Sequence, residues 1–248
     1  MRIGFRIYGP YENAIRTAKK LGFSDLEPEW SPQTSPQFPA MAAAARDAGI
    51  GLTAVLTGVD PMSLDDFKRA FEDCLTVGAK SFTAHPHPLT DDPNVMSEFE
   101  KRFGAAVELA EQMGLKLAVH SCGLGPDQWD TMFRLVPGLW LKYDPSFSAQ
   151  AGRNYAAEIF KYGRRIVHVH AKDEIALDRT TDYNSGIIPM TYVPAGMGQI
   201  NWGTVIACLY EVGFDEQIAI EPHSAYWCTD GFERGLILAK RHLEQFLA

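Results

Sequence analysis

Residues 113–121 read MGLKLAVHS: a glycine at the end of a helical stretch, an apolar run, then histidine and serine. Glycine just past a helix supplies the left-handed residue that closes it, and a short apolar run after it reads as a buried strand. Similar helix–glycine–strand junctions stand at Leu21-Gly22-Phe23, Ala48-Gly49-Ile50 and Val212-Gly213-Phe214. Worked outward from them, the pattern predicts strands over Arg2–Tyr8, Phe23–Glu29, Gly51–Thr57, Lys80–His85, Leu115–Ser121, Leu139–Asp144, Ile166–Ala171 and Gln217–Glu221. Helical stretches fall at 10–22, 37–49, 63–78, 96–114, 127–136, 151–163, 202–213 and 231–247. Such alternation implies parallel strands joined by right-handed crossovers. Eight units in 248 residues are the count of a single (β/α)8 TIM barrel domain, 1–248. A doubly wound open sheet is the competing arrangement, which periodicity alone does not separate. The one oversized connection, about 172–201, carries Gly186, Pro189, Pro194, Gly196 and Gly198 and reads as a functional, lid-like loop.

Composition narrows the function classes. With 23 basic and 31 acidic residues the net charge is −8, which opposes nonspecific binding to a phosphate backbone, so no nucleic-acid partner is expected. Cys74, Cys122, Cys208 and Cys228 contain no CxxC pair, so neither a disulfide scaffold nor a structural zinc site is indicated. The N-terminus MRIGFRIYGP places arginines where a signal peptide has its apolar run, and no apolar stretch is long enough for a membrane span. A cytoplasmic protein is the expectation, with no membrane partner. A homo-oligomer stays open, because dimers are common among barrels.

In a parallel barrel the site forms at the C-terminal ends of the strands. The polar residues expected there are Arg6 and Tyr8, Glu27, Thr57, His85, His120, Asp144, His168 with His170, and Glu221. Five consecutive strands thus bring histidine or carboxylate to one rim. Taken singly, each has a structural explanation: a hydrogen-bonded histidine, or an Asp-Pro or Glu-Pro turn. Taken together, charged groups after runs such as Leu-Lys-Leu-Ala-Val are hard to bury unless paired or bound to metal. Mixed imidazole and carboxylate donors suit manganese, zinc, cobalt or iron better than calcium. A divalent ion with open positions can chelate adjacent oxygens of a hydroxy-ketone and acidify the neighbouring C–H.

The strings LEPEW (26–30), LAVHSC (117–122), YDPSF (143–147), HVHAKD (168–173), PAGMGQINW (194–202) and IAIEPH (218–223) resemble the xylose isomerase-like barrel family over nearly the whole chain. They look most like its sugar phosphate isomerases/epimerases, with endonuclease IV a more distant relative. The resemblance implies one divalent metal ion, manganese first and zinc, cobalt or iron as alternatives, held by His120, Asp144, His170 and Glu221. Glu221 would also be the base and His120 a ligand or second proton carrier. His168 would orient a neighbour, and Lys172 would meet a substrate oxygen or carboxylate. Glu27, His85, Arg6 and Trp30 are further candidate substrate contacts, as are Tyr226 and Trp227. Trp30 with the following Ser31–Pro39 segment would cover the site.

Two positions depart from the family pattern. His120 stands where the sugar 3-epimerases carry a glutamate that is both ligand and proton carrier. Phe147 stands where the DPS string commonly continues with histidine. A three-zinc endonuclease site is not supported: Asp178-Arg179-Thr180 replaces the DRH-type string, and Phe147 removes another ligand. Dinucleotide chemistry lacks a GxGxxG element after a strand, and GxSxG and HExxH strings are absent. Cys122 beside His120 reads as an ordinary thiol. Three functions follow: an isomerase/epimerase moving a proton next to a sugar or keto-sugar carbonyl, a lyase or dehydratase eliminating a β-substituent from a keto-sugar or cyclic polyol, and a non-catalytic sugar-binding barrel.

Overall fold

The computed structural model describes residues 1–176 and 190–247. Its first half contains β1 (Arg2–Arg6), α1 (Tyr11–Leu21), β2 (Asp25–Glu27), β3 (Glu29–Trp30), α2 (Phe38–Ala48), β4 (Ala54–Thr57), α3 (Leu64–Val77), β5 (Ser81–Ala84) and α4 (Pro93–Gln112). Next come β6 (Lys116–His120), α5 (Pro126–Leu135), β7 (Trp140–Tyr143), α6 (Pro145–Gln150), α7 (Tyr155–Tyr162) and β8 (Ile166–Ala171). The chain finishes with β9 (Asp173–Ala176), β10 (Met190–Val193), α8 (Trp202–Glu211), β11 (Gln217–Ile220), α9 (Ala225–Cys228) and α10 (Phe232–Glu244).

A nine-stranded parallel sheet runs β2-β1-β11-β8-β7-β6-β5-β4-β3, and its two ends are consecutive pieces of the single stave expected over 23–29. Pro28 has no N–H to give a ladder and separates them. The first piece pairs with β1, from Gly4↔Asp25 to Arg6↔Glu27. The second pairs with β4, Glu29↔Leu56 and Trp30↔Thr57, and a bridge joins Asp25 to Gly51. Split in this way, one stave serves both neighbours and brings the sheet round into a TIM barrel, so the open-sheet alternative is removed.

Helices flank the sheet and bury their apolar faces against it. Phe67 and Phe71 of α3 meet Phe82 of β5 edge-on at 6.4 and 5.6 Å. Such pairs add to the roughly 1.5–3 kcal/mol gained by burying each ring.

Two connections differ from the expected pattern. Helix α6 starts directly after Asp144, whose carboxylate accepts the Ser146 N–H at 2.9 Å as an N-cap while Pro145 occupies the first turn. The expected helix at 151–163 is consequently shorter, α7 starting only at Tyr155. The long connection expected as a loop over 172–201 contains an antiparallel pair, β9 with β10. Gly186, Pro189 and the Asp178-Arg179-Thr180 string lie outside the described residues.

A single buried carboxylate ties the HVHAKD and PAGMGQINW strings together. Asp173 accepts N–H groups from Glu174, Gly196 and Ile200 at 2.9, 3.1 and 2.9 Å. Gly196 has φ +88°, and a Cβ on Gly198 would lie 2.3 Å from Asp173 Oδ1. Gly198→Ala is therefore expected to destabilise the fold by about 1–3 kcal/mol in chemical denaturation. Gly104→Ala is the control: it lies within α4, nothing stands within 4 Å of its added Cβ, and it is expected to be neutral or slightly stabilising. Equal losses in the two variants would contradict the tie.

Candidate functional site

Strand direction puts the C-terminal ends of the staves at one mouth. Period two then turns Lys142 with Asp144, and His168 with His170 and Lys172, toward the same interior. The charges there meet in pairs. Glu27 and Lys142, both 0% exposed, join at 2.7 Å. Glu221 Oε1 takes Arg6 Nη1 at 2.6 Å, and its Oε2 takes Lys172 Nζ at 2.7 Å. Asp144 Oδ2 lies 2.9 Å from the same ammonium, while Asp144 Oδ1 is occupied by the Ser146 N–H and hydroxyl. Three buried carboxylates thus face three cations, the arrangement that makes burial of charge tolerable.

Burial by itself raises the Glu27 and Glu221 carboxyls. Their partners outweigh it: His170, Lys142 and His168 hold Glu27 below the usual carboxylate range, and His170 with Lys172 holds Glu221 well below it. Lys172 is pushed the other way. Burial disfavours its charge, but Asp144 and Glu221 raise it above an ordinary lysine. Lys142 ends below the ordinary value, because burial prevails over Glu27.

The histidines are oriented by specific partners. His170 Nε2 lies 2.6 Å from Glu27 Oε2, and its Nδ1 lies 3.1 Å from Glu221 Oε2. His168 Nδ1 approaches Glu27 Oε1 at 3.1 Å. His85 Nδ1 donates to the Thr57 carbonyl, and burial together with Lys142 lowers its pKa to about 4, so its Nε2 keeps a lone pair. His120 has the opposite arrangement. The Cys122 N–H donates to His120 Nδ1 at 2.9 Å, and burial beside His85 and Lys142 keeps the ring neutral. The ring proton then sits on Nε2, which is buried and makes no hydrogen bond among the described residues. The His85 and His120 rings lie 4.3 Å apart.

Most sequence-predicted residues come together: Arg6, Glu27, His85, His120, Asp144, His168, His170, Lys172 and Glu221. Trp30 does not. Its side chain alternates to the outside of the barrel, fully buried, and donates its indole N–H to Asp73 of α3 at 2.9 Å. The Ser31–Pro39 segment makes the same contact, Ser35 donating to Asp73 at 2.6 Å, so Trp30 is a packing residue and not a substrate contact. Tyr226 and Trp227 meet edge-on in α9 at 4.8 Å. Tyr226 is exposed.

Residues missed from sequence are Lys142 and Tyr192. The first carried a signal, a lysine inside Leu139–Tyr143 and in phase with Asp144. Tyr192 arrives on the β9–β10 hairpin, whose pairing no periodicity announced. Its ring centroid lies 4.9 Å from Lys172 Nζ, and Phe147 faces the same ammonium at 4.4 Å. Gln150 donates to the Tyr192 hydroxyl at 2.7 Å.

Among the described residues, His120, Asp144 and His170 offer ligand atoms within 4.8 Å of one another, and Glu27, His168 and His170 form a second such group. No described helix is long and apolar enough to cross a membrane. The sequence matches the xylose isomerase-like TIM barrel family over residues 15–242. The chain belongs to that family. No curated protein matches significantly.

Solved structures of this xylose isomerase-like fold include D-psicose 3-epimerase with D-tagatose from Clostridium cellulolyticum H10. It is 15% identical with TM-score 0.74, covering 100% of this chain and 99% of that one. The IolI protein with a bound zinc atom is 17% identical with TM-score 0.78, covering 100% of both chains. The probable 3-DHS dehydratase AsbF from Bacillus anthracis is 12% identical with TM-score 0.77, covering 98% of this chain and 99% of that one. At such identities the likeness carries the fold.

The neutral imidazoles give the xylose isomerase-like chain a defined acid response. His85, His120 and His168 all sit below the ordinary histidine value, chiefly through burial. As pH falls below about 6.5 the unfolded chain takes up protons that the folded chain refuses, so stability is lost toward pH 4. Each imidazole adds up to about 1.4 kcal/mol per pH unit in that window. Thermal melts from pH 7 to 4.5 should fall, and His85→Gln should flatten the slope. A Tm independent of pH would contradict the neutral assignment.

Proposed function

We propose that the protein is a divalent-metal-dependent isomerase or epimerase acting next to the carbonyl of a sugar or keto-sugar. The observation that carries this reading is the buried convergence of Asp144, His170, Glu221 and His120 at the barrel mouth. The epimerase and zinc-bound relatives support it. Asp144 Oδ2 is held by the Lys172 ammonium at 2.9 Å and His170 Nδ1 faces Glu221 Oε2 at 3.1 Å, and Asp144 and His170 belong to one group of candidate ligands with imidazole and carboxylate donors, so the donor set fits a divalent ion of the manganese, zinc, cobalt or iron kind. Asp144, His170 and Glu221 would hold it. Glu27 accepts the His170 Nε2–H and so leaves the Nδ1 lone pair for the ion. Once bound, the ion supplies Lewis acidity that polarises a carbonyl–hydroxyl pair.

The remaining work falls to the chain's own residues. Glu221 is ionised and takes the proton from the carbon beside the carbonyl, its Oε1 steadied by Arg6. His120 has two roles open to it in principle, ligand or proton carrier. Its Nδ1 bond from Cys122 favours the second, because Nε2 then presents a proton rather than a lone pair. His85 presents an acceptor for a substrate hydroxyl, and Lys172 and Arg6 are the cations nearest a substrate oxygen. His168 steadies Glu27.

The same His120 proton favours one further reading, a lyase. An N–H beside a carboxylate base can protonate a departing hydroxyl, whereas returning a proton to carbon from the opposite face is what a second carboxylate would do. The dehydratase relative supports that alternative. Its substrates would be keto-sugars or cyclic polyols, through the same enolate. We further propose a single-domain chain working in the cytoplasm, where its four free thiols would stay reduced.

Solvent deuterium incorporation into a panel of ketohexoses tests the reaction by NMR on the manganese-loaded enzyme. Exchange at the carbon beside the carbonyl is expected, with return of sugar for an isomerase and a dehydrated product for a lyase. Glu221→Gln should slow exchange by about 10²–10⁴-fold. Unchanged exchange in that variant would remove Glu221 as the base, and no exchange on any substrate in the wild type would favour the binding-only barrel.

A further inference from the structure

We propose that the Lys172 ammonium is a resident competitor for the divalent ion, so that the place between Asp144 and Glu221 is held either by Lys172 or by metal. The inference rests on the metal reading above and concerns how that site is filled.

Its basis is which oxygens remain available. Asp144 Oδ1 is taken by Ser146 and Glu221 Oε1 by Arg6. The two oxygens left to meet a cation are Asp144 Oδ2 and Glu221 Oε2, and Lys172 Nζ bridges them at 2.9 and 2.7 Å. An ion that coordinates both must displace the ammonium. Charge gives the same answer. With Lys172 in place, Lys142, Lys172 and Arg6 face Glu27, Asp144, Glu221 and the more exposed Glu29, which takes the second Arg6 nitrogen at 2.6 Å. A divalent ion added beside Lys172 would set five positive charges against these four carboxylates, whereas exchange for the ammonium sets four against four.

The two aromatic rings hold the ammonium in this position. Phe147 and Tyr192 present ring centroids 4.4 and 4.9 Å from Nζ, an environment that favours a cation. Phe147 is the residue that replaces the histidine expected in the DPS string. A phenyl face attracts an ammonium, whereas a histidine there would offer a ring nitrogen to the ion instead. Lys172 lies 2% exposed, closed in by acids on one side and rings on the other.

Equilibrium dialysis of manganese and zinc against metal-stripped wild type, Lys172→Met and Lys172→Arg tests the competition without reference to activity. Lys172→Met should bind at least about tenfold more tightly than wild type, because the ion no longer has to expel a cation from its own ligands. Lys172→Arg keeps the charge and should bind no more tightly than wild type. Circular dichroism establishes folding first, and Lys172→Gln replaces the methionine variant should that one not fold. Equal or weaker binding by the neutral variants overturns the competition while leaving the metal reading intact. Binding by none of the proteins overturns both. Binding by the neutral variants alone supports the competition in its strongest form.

Discussion

The carboxylate of Glu27 is the constraint on which the rest of the mouth depends. It is fully enclosed, and an ionised carboxylate in such a place is tolerable only with positive charge and hydrogen bonds on both oxygens. Lys142 and His168 meet one oxygen and His170 the other. These partners come from β7 and β8, across the barrel from Glu27 on β2. Glu27 also stands immediately before Pro28, where the stave divides so that one piece pairs with β1 and the other with β4. Closure of the sheet and assembly of the charged interior are therefore fixed at one position of the chain. Removing one partner of a pair buried this deeply costs about 3–5 kcal/mol, a large share of a typical domain's stability.

From Glu27 the orientation passes outward. His170 is held through Nε2, which turns Nδ1 toward Glu221. Glu221 is held through Arg6, which leaves its second oxygen to Lys172, and Lys172 reaches on to Asp144. Each link uses one atom of a side chain and leaves the other for the next. With Glu29 on the second nitrogen of Arg6, three cations face four carboxylates, so a divalent ion is best accommodated by moving a positive charge already there. Lys172 is the member placed to do so, because among the described residues it is the cation that bridges Asp144 and Glu221 at the candidate ion site.

Much of this was legible in the sequence, because strand ends in a parallel barrel are a consequence of period and direction. Helix-closing glycines and apolar runs located every stave, and the polar residue after each run located His85, His120, Asp144, His170 and Glu221. What stayed hidden has physical reasons. Trp30 is a candidate substrate contact from its residue type, but alternation turns its side chain outward to Asp73. Lys142 lay inside an apolar run, where its phase with Asp144 was the only signal. Tyr192 depends on the β9–β10 pairing, a non-local contact without periodic signature. The tautomers of His85 and His120 depend on single backbone groups, Thr57 O and Cys122 N–H, that no pattern of residue types encodes.

The account turns on where a divalent ion sits relative to these charges, and anomalous scattering from crystals grown with manganese or zinc measures that directly. The account predicts one ion bound by Asp144, His170 and Glu221, with the Lys172 ammonium no longer between the two carboxylates. An ion held instead by Glu27, His168 and His170, or a fully loaded crystal in which Lys172 still bridges Asp144 and Glu221, would contradict it.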